Sequence, residues 1–124
     1  MEINRLFVYG TLAPGESNEH FLRVVKGNWQ KAYVNGELYK NGIGPTQGYP
    51  ALLLDKNACS VQGLLFSSEQ LPSLWHMLDE FEGEGYLRVI CKARLEDNST
   101  IDAYIYALDP NIISNVETSE EKPV

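Results

Sequence analysis

The chain has 124 residues, 44% of them apolar, and its 17 Asp and Glu outweigh 10 Lys and Arg to give a formal net charge of -7 at pH 7. A single domain of this size buries roughly two-thirds of its unfolded surface and needs no metal or disulfide staple. The acidic field repels phosphate, which argues against nucleic acid and anionic membrane surfaces as partners and leaves small metabolites open.

The start Met1-Glu2-Ile3-Asn4-Arg5 lacks the basic and apolar character of a signal peptide, and no apolar stretch approaches the roughly 18 residues of a membrane span. A cytoplasmic location is therefore expected. Cys59 and Cys91 are too few for a disulfide framework and, with His20 and His76, form no metal-ligand spacing. Cys59 reads as a loop thiol and Cys91 as a small core residue.

Arg5 to Tyr9 is a short β-rich run that ends at Gly10-Thr11-Leu12-Ala13-Pro14-Gly15. A glycine just after a strand lets the backbone turn sharply and aim N–H groups at an anion, which singles out Gly10. Ser17 or Asn18 can cap a following helix whose apolar face is Phe21, Leu22 and Val25, with Gly27 as its end. From Trp29 to Tyr39, Ala32, Val34, Gly36 and Leu38 alternate with Tyr33, Asn35, Glu37 and Tyr39, the period of a strand, and Gly36 marks a bulge or a close approach. Residues 40–50 hold three glycines and two prolines, which predicts an irregular loop long enough to form a binding rim. Ala51 to Leu54 and Val61 to Phe66 read as buried strands joined by a turn.

A helix follows, starting either after a Ser67 cap or at Leu71 with Pro72 as its first helical residue. At 100° per residue Leu71, Leu74, Trp75, Leu78 and Phe81 fall within a sector of roughly 120°, and Glu82 falls inside the same sector. Gly83 is a natural stop in the left-handed conformation and leaves Glu82 at the negative end of the helix dipole. Burial and the dipole both disfavour the ionised carboxylate, which makes Glu82 a candidate general acid/base. The alternative is a solvated glutamate at a helix end.

After Gly83-Glu84-Gly85, residues Leu87, Val89, Cys91, Ala93 and Leu95 alternate with Tyr86, Arg88, Ile90, Lys92 and Arg94. A turn at 96–100 leads to a partner strand in which Ile101, Ala103, Ile105 and Ala107 alternate with Asp102, Tyr104, Tyr106 and Leu108. Asp109-Pro110 can start a short helical turn. Residues 117–124 form an acidic tail expected to be disordered, beyond one domain at 1–116. This element order predicts an α+β fold: a small mixed, mostly antiparallel β-barrel with peripheral helices packed outside it or across its mouth.

Two separated stretches are together specific. Val8-Tyr9-Gly10-Thr11-Leu12 ends the first strand, and about 70 residues later comes Leu78-Asp79-Glu80-Phe81-Glu82-Gly83 followed by Tyr86 and Arg88. This pattern resembles the γ-glutamylcyclotransferase-like family, in particular its short γ-glutamylamine cyclotransferase/AIG2-like branch. Gly36-Glu37-Leu38-Tyr39, Tyr49-Pro50-Ala51-Leu52, Val61-Gln62-Gly63-Leu64 and Ala103-Tyr104-Ile105-Tyr106 are similar to the family too.

The resemblance implies a barrel whose cavity is closed by the loop after the first strand. Backbone amides at Gly10, Thr11 and Leu12 would hold the γ-glutamyl group, with Tyr9 in the wall. The family's essential glutamate aligns with Glu82, and Tyr86, Arg88 and Tyr106 belong near the pocket. For Arg88, pairing with Asp79 or Glu82 is the structural alternative to touching substrate, and pairing with Glu82 would lower that pKa.

The implied reaction converts a γ-glutamyl amide to 5-oxoproline without cofactor or metal. The substrate's own α-amine attacks its γ-carbonyl, so the protein need supply only folding of the substrate, proton transfer and oxyanion stabilisation. Family loops commonly carry a basic residue after Y-G-T-L where this chain has Ala13-Pro14, a departure that bears on the leaving group. The competing expectation is a non-catalytic module that binds a small amino-acid derivative in the same pocket.

Overall fold

The computed structural model describes residues 3–10, 22 and 25–113. The helix expected from Ser17 or Asn18, the loop residues Thr11 and Leu12, and the acidic tail at 117–124 lie outside them. The elements in chain order are β1 (Arg5–Val8), β2 (Asn28–Tyr39), a 3-10 turn (Gly44–Thr46), β3 (Ala51–Leu54), β4 (Ser60–Ser67), a second 3-10 turn (Leu71–Ser73), α1 (Trp75–Glu82), β5 (Tyr86–Leu95) and β6 (Thr100–Leu108).

The strands lie side by side in the order β3-β2-β4-β1-β6-β5, and β5 returns to β2 through Ala32↔Leu95 and Tyr33↔Arg94. Five strands thus close into a barrel, with β3 outside it on the edge of β2. Closure removes the free edges that an open sheet of this size would expose. Among the described strands only β1 and β6 run parallel, with Leu6 opposite Tyr104 and Phe7 opposite Ile105; the other pairings are antiparallel. The α+β barrel expected from the sequence is the observed architecture.

Strand β2 is long because it serves two partners. Asn28 to Asn35 pair with β4, and Gly36 to Tyr39 pair with β3. The switch falls at Gly36, where a Cβ would lie 2.7 Å from the Leu53 carbonyl oxygen, so glycine permits the close approach that its place in the alternation predicted.

Phe7, Leu65 and Ile105 fill the barrel interior, and small residues at Ala32, Ala93, Ala103 and Ala107 let so few strands close around them. A second core lies outside the barrel, where Leu71, Trp75 and Leu78 of the helical segment cover Leu6, Val8, Phe66 and Tyr106. Both β1 and β6 are therefore buried on two faces. That explains the unbroken apolar run Leu6-Phe7-Val8, and it puts the face of Tyr104 and Tyr106 under α1 instead of in water.

The helix begins later than either expected start. Ser67 belongs to β4, and Pro72 sits in the 3-10 turn, where its missing N–H breaks no α-helical bond. The neighbouring Ser68 is the buried serine that organises this corner: its Oγ donates to the Lys26 carbonyl and accepts from Gln70 N–H at 3.1 Å. The helix stops at Gly83 as expected, with φ 73°, but ψ of -156° places it in the extended region open to glycine and not in the left-handed helical well.

The loop at 40–50 is irregular apart from its 3-10 turn, whose Thr46 is buried and both accepts from Ile43 N–H and donates to Ile43 C=O at 2.9 Å. Residues 110–113 make the helical turn expected after Asp109. Cys59 is exposed and Cys91 buried. Among the described residues no helix is long and apolar enough to cross a membrane.

Candidate active site

The topology brings four chain ends to one rim of the barrel. Because β6 runs parallel to β1 and antiparallel to β5, the end of β1, the start of β5 and the end of β6 converge. The last turn of α1 and the loop before β3 flank them. Between them is a cavity of about 300 Å³ lined by Tyr9 and Gly10, by Tyr49 and Pro50, by Phe81 and Glu82, by Tyr86 and by Tyr106, with Leu6, Phe7 and Val8 as its floor.

Among the described residues Glu82 supplies the one carboxyl in that lining. Burial pushes its pKa up from 4.5 to about 7. Arg88, the nearest cation in sequence, is engaged elsewhere: its Nε donates to Asp79 Oδ1 at 2.8 Å and its Nη2 to Asp79 Oδ2 at 3.3 Å. The guanidinium is also stacked, 4.8 Å from the Trp75 ring centre and 4.5 Å from that of Tyr104. Partial burial pushes the Asp79 carboxyl upward, but hydrogen bonds from Arg88 and Tyr106 outweigh it and hold the group below the ordinary carboxylate range. Of two acids one helical turn apart, one is thus paired and ionised, and the other, without a hydrogen-bond or ion-pair partner among the described residues, is reluctant to ionise.

Three tyrosines surround Glu82. The Tyr9 hydroxyl donates to the Tyr106 carbonyl at 2.6 Å and accepts from Leu52 N–H at 3.0 Å, tying β1 to β6 and β3. Tyr86 donates to the Pro50 carbonyl at 2.7 Å, which fixes the loop before β3 against β5. Tyr106 donates to Asp79 Oδ1 at 2.6 Å. Burial first and then, among other charges, the nearby Glu82 raise all three phenols, Tyr86 to about 12.

The structure therefore gathers Tyr9, Gly10, Glu82, Tyr86 and Tyr106 at one cavity. Arg88 stands outside its lining, held by Asp79 and two aromatic rings. Thr11 and Leu12 follow directly on Gly10 but lie outside the described residues. The alternation had no means of selecting Phe81, Tyr49 or Pro50 as lining, although the last two belong to the loop whose length and composition mark it as a rim. A carboxyl with pKa near 7 in a largely apolar cavity can take up and return a proton at neutral pH.

Residues 6–123 match the family model described as gamma-glutamyl cyclotransferase, AIG2-like. Over 83 residues the chain is 35% identical to a gamma-L-glutamyl-butirosin B gamma-glutamyl cyclotransferase of Niallia circulans, an alignment that covers 67% of this chain and 50% of that protein. Among solved structures, YkqA from Bacillus subtilis superposes with a TM-score of 0.64 at 25% identity, over 87% of this chain and 36% of its own. An AIG2-like protein from Mus musculus superposes with a TM-score of 0.65 at 20% identity, over 91% of this chain and 84% of its own. The chain thus spans about half the length of the butirosin relative and about a third of YkqA.

Proposed function

The chain belongs to the AIG2-like gamma-glutamyl cyclotransferase family, and on that premise we propose that it is an enzyme that cyclises the γ-glutamyl group of a small γ-glutamyl amine or amide to 5-oxoproline, releasing the free amine, with Glu82 as general acid/base. The observation that carries this reading is the buried Glu82 carboxyl, raised to about 7, in a cavity of about 300 Å³. That volume is at the small end of metabolite pockets and suits a substrate of this size.

In the proposed reaction the α-ammonium of the bound γ-glutamyl group gives a proton to ionised Glu82. The freed amine attacks the γ-carbonyl carbon and a C–N bond forms. The resulting oxyanion is stabilised by backbone N–H groups at Gly10, Thr11 and Leu12. Glu82 then returns the proton to the leaving nitrogen, the original amide C–N bond breaks and the oxyanion collapses to the lactam carbonyl. The ring nitrogen, cationic with two hydrogens after the attack, gives its second proton by way of Glu82 to the released amine. No water is consumed and no covalent enzyme intermediate forms. Holding amine and carbonyl in contact supplies part of the acceleration, and proton transfer through Glu82 contributes about 10² to 10⁴. Tyr9, Tyr86 and Tyr106 shape the pocket, and the domain at 1–116 acts in the cytoplasm on free small molecules.

The test is 5-oxoproline release from a panel of γ-glutamyl amino acids and amines by wild type and by Glu82→Gln. Turnover of at least one compound by wild type, lost in the folded variant, is expected. Intact ligand recovered after long incubation at saturating protein would instead favour a binding module.

A further inference from the structure

A phenol has one proton to donate, and three of the four tyrosines that line this cavity have theirs committed, the fourth, Tyr49, being exposed. Tyr9 gives its proton to the Tyr106 carbonyl and also accepts from Leu52 N–H, so both in-plane positions of its oxygen are filled. Tyr86 gives its proton to the Pro50 carbonyl. Tyr106 gives its proton to Asp79. The direction of that last bond is fixed, because Asp79 is ionised and also accepts twice from Arg88, so it has no proton to give back.

Tyr106 lines the same cavity as Glu82, and with its proton on Asp79 its hydroxyl has only lone pairs to offer a ligand there. Resting on the function proposed above, we infer that Asp79, locked in place by Arg88, is a positioning residue that makes the Tyr106 hydroxyl a hydrogen-bond acceptor for the amino group of a γ-glutamyl substrate.

From the sequence Asp79 is a neighbour of Glu82 and a candidate partner of Arg88, yet it is the residue that sets the polarity of this wall. Without it, the Tyr106 hydroxyl is free to rotate and present its proton to the incoming ammonium, a contact between two donors. Asp79 and Arg88 cancel in charge, so the effect on the substrate is directional. The ammonium group would be shared between the Tyr106 oxygen and Glu82, which places it beside its proton acceptor.

The test compares the binding of L-glutamine, the simplest γ-glutamyl amide, with that of glutaric acid monoamide, the same molecule without its amino group. Both are measured by calorimetry on wild type, Asp79→Ala and Tyr106→Phe. Wild type is expected to prefer L-glutamine by about tenfold, the range of one hydrogen bond to a charged donor, and each variant to reduce that preference to about threefold or less. A purely structural role would weaken both ligands alike. If Asp79→Ala does not fold, Tyr106→Phe still decides, since it keeps the ring and loses the hydroxyl, with Asp79 still held by Arg88. A folded variant that keeps the wild-type preference overturns the inference. If wild type releases 5-oxoproline but has no amino-group preference, this inference fails alone. If no γ-glutamyl amide is turned over, the proposed function fails, and a preference dependent on Asp79 would stand as a property of the pocket.

Discussion

Asp79 and Glu82 stand one turn apart on the same helix, and their carboxyl groups are displaced in opposite directions: hydrogen bonds from Arg88 and Tyr106 overcome partial burial and hold Asp79 down, while burial lifts Glu82 to about 7. The contrast assigns the two acids different work. It also predicts the pH dependence of turnover. Glu82 must be ionised to accept the ammonium proton, so kcat/KM is expected to fall about tenfold per pH unit below pH 7 and to level off above it. A profile of 5-oxoproline release from pH 5 to 8.5 measures this, and a flat profile across pH 7 would remove Glu82 from the role of base.

The same displacement is a statement about stability. The folded pKa of Glu82 is raised above its ordinary 4.5, so its favourable contribution is fully present below pH 4.5 and is lost as pH rises through 7. At about 1.4 kcal/mol per pH unit of displacement the loss is about 3 kcal/mol. Glu82→Gln cannot titrate there, so relative to wild type it should gain about that amount between pH 4 and pH 8. Urea denaturation of both proteins at several pH values isolates the effect, because the other titrating groups cancel in the difference.

How much of this was legible in the sequence differs from element to element. The alternation in β2, in β6 and in β5 from Val89 to Leu95 showed which side chains enter the barrel because period two is a local property of the chain, whereas Leu87, in phase with them, is exposed. The carboxylate on the apolar stripe of α1 was visible for the same reason. Closure of the barrel was not local: it rests on Ala32↔Leu95 and Tyr33↔Arg94, two pairs more than sixty residues apart, and followed only from the need to hide strand edges. The late start of α1 was missed because Pro72 fits a first helical position and a 3-10 turn equally well, and the choice was made by the tertiary bonds of Ser68. Whether Arg88 would meet Asp79 or Glu82 depended on how the Gly83-Gly85 turn lays β5 beside the helix. Spacing does not fix that, whereas the stacking of Arg88 on Trp75 and Tyr104 does.

Gly83 offers a test of how tightly the helix end sets the position of Glu82. Its φ of 73° and ψ of -156° lie in a region that side-chain-bearing residues avoid. Gly83→Ala should cost about 1–3 kcal/mol in thermal or chemical denaturation. Since the strained residue follows Glu82 directly, kcat should drop as well, by more than the unfolded fraction explains. An alanine variant with wild-type stability and turnover would show that the backbone here relaxes without moving the carboxyl group.

Tyr9 separates pocket architecture from pocket chemistry. Its hydroxyl bridges the Tyr106 carbonyl and the Leu52 N–H at the meeting of β1, β6 and β3, and these bonds saturate it, so it has no capacity left for substrate. Tyr9→Phe leaves a backbone donor and a backbone acceptor unpaired in a part-buried setting, which should cost about 1–3 kcal/mol of stability. The amino-group preference set by Asp79 and Tyr106 should survive, because the phenylalanine ring fills the same wall and Tyr106 keeps its proton on Asp79. Denaturation midpoints measured beside the affinities for L-glutamine and glutaric acid monoamide check both halves. A Tyr9→Phe variant that is fully stable but has lost the preference would mean that the Tyr9 hydroxyl contacts the ligand directly, and that its two backbone bonds yield on binding.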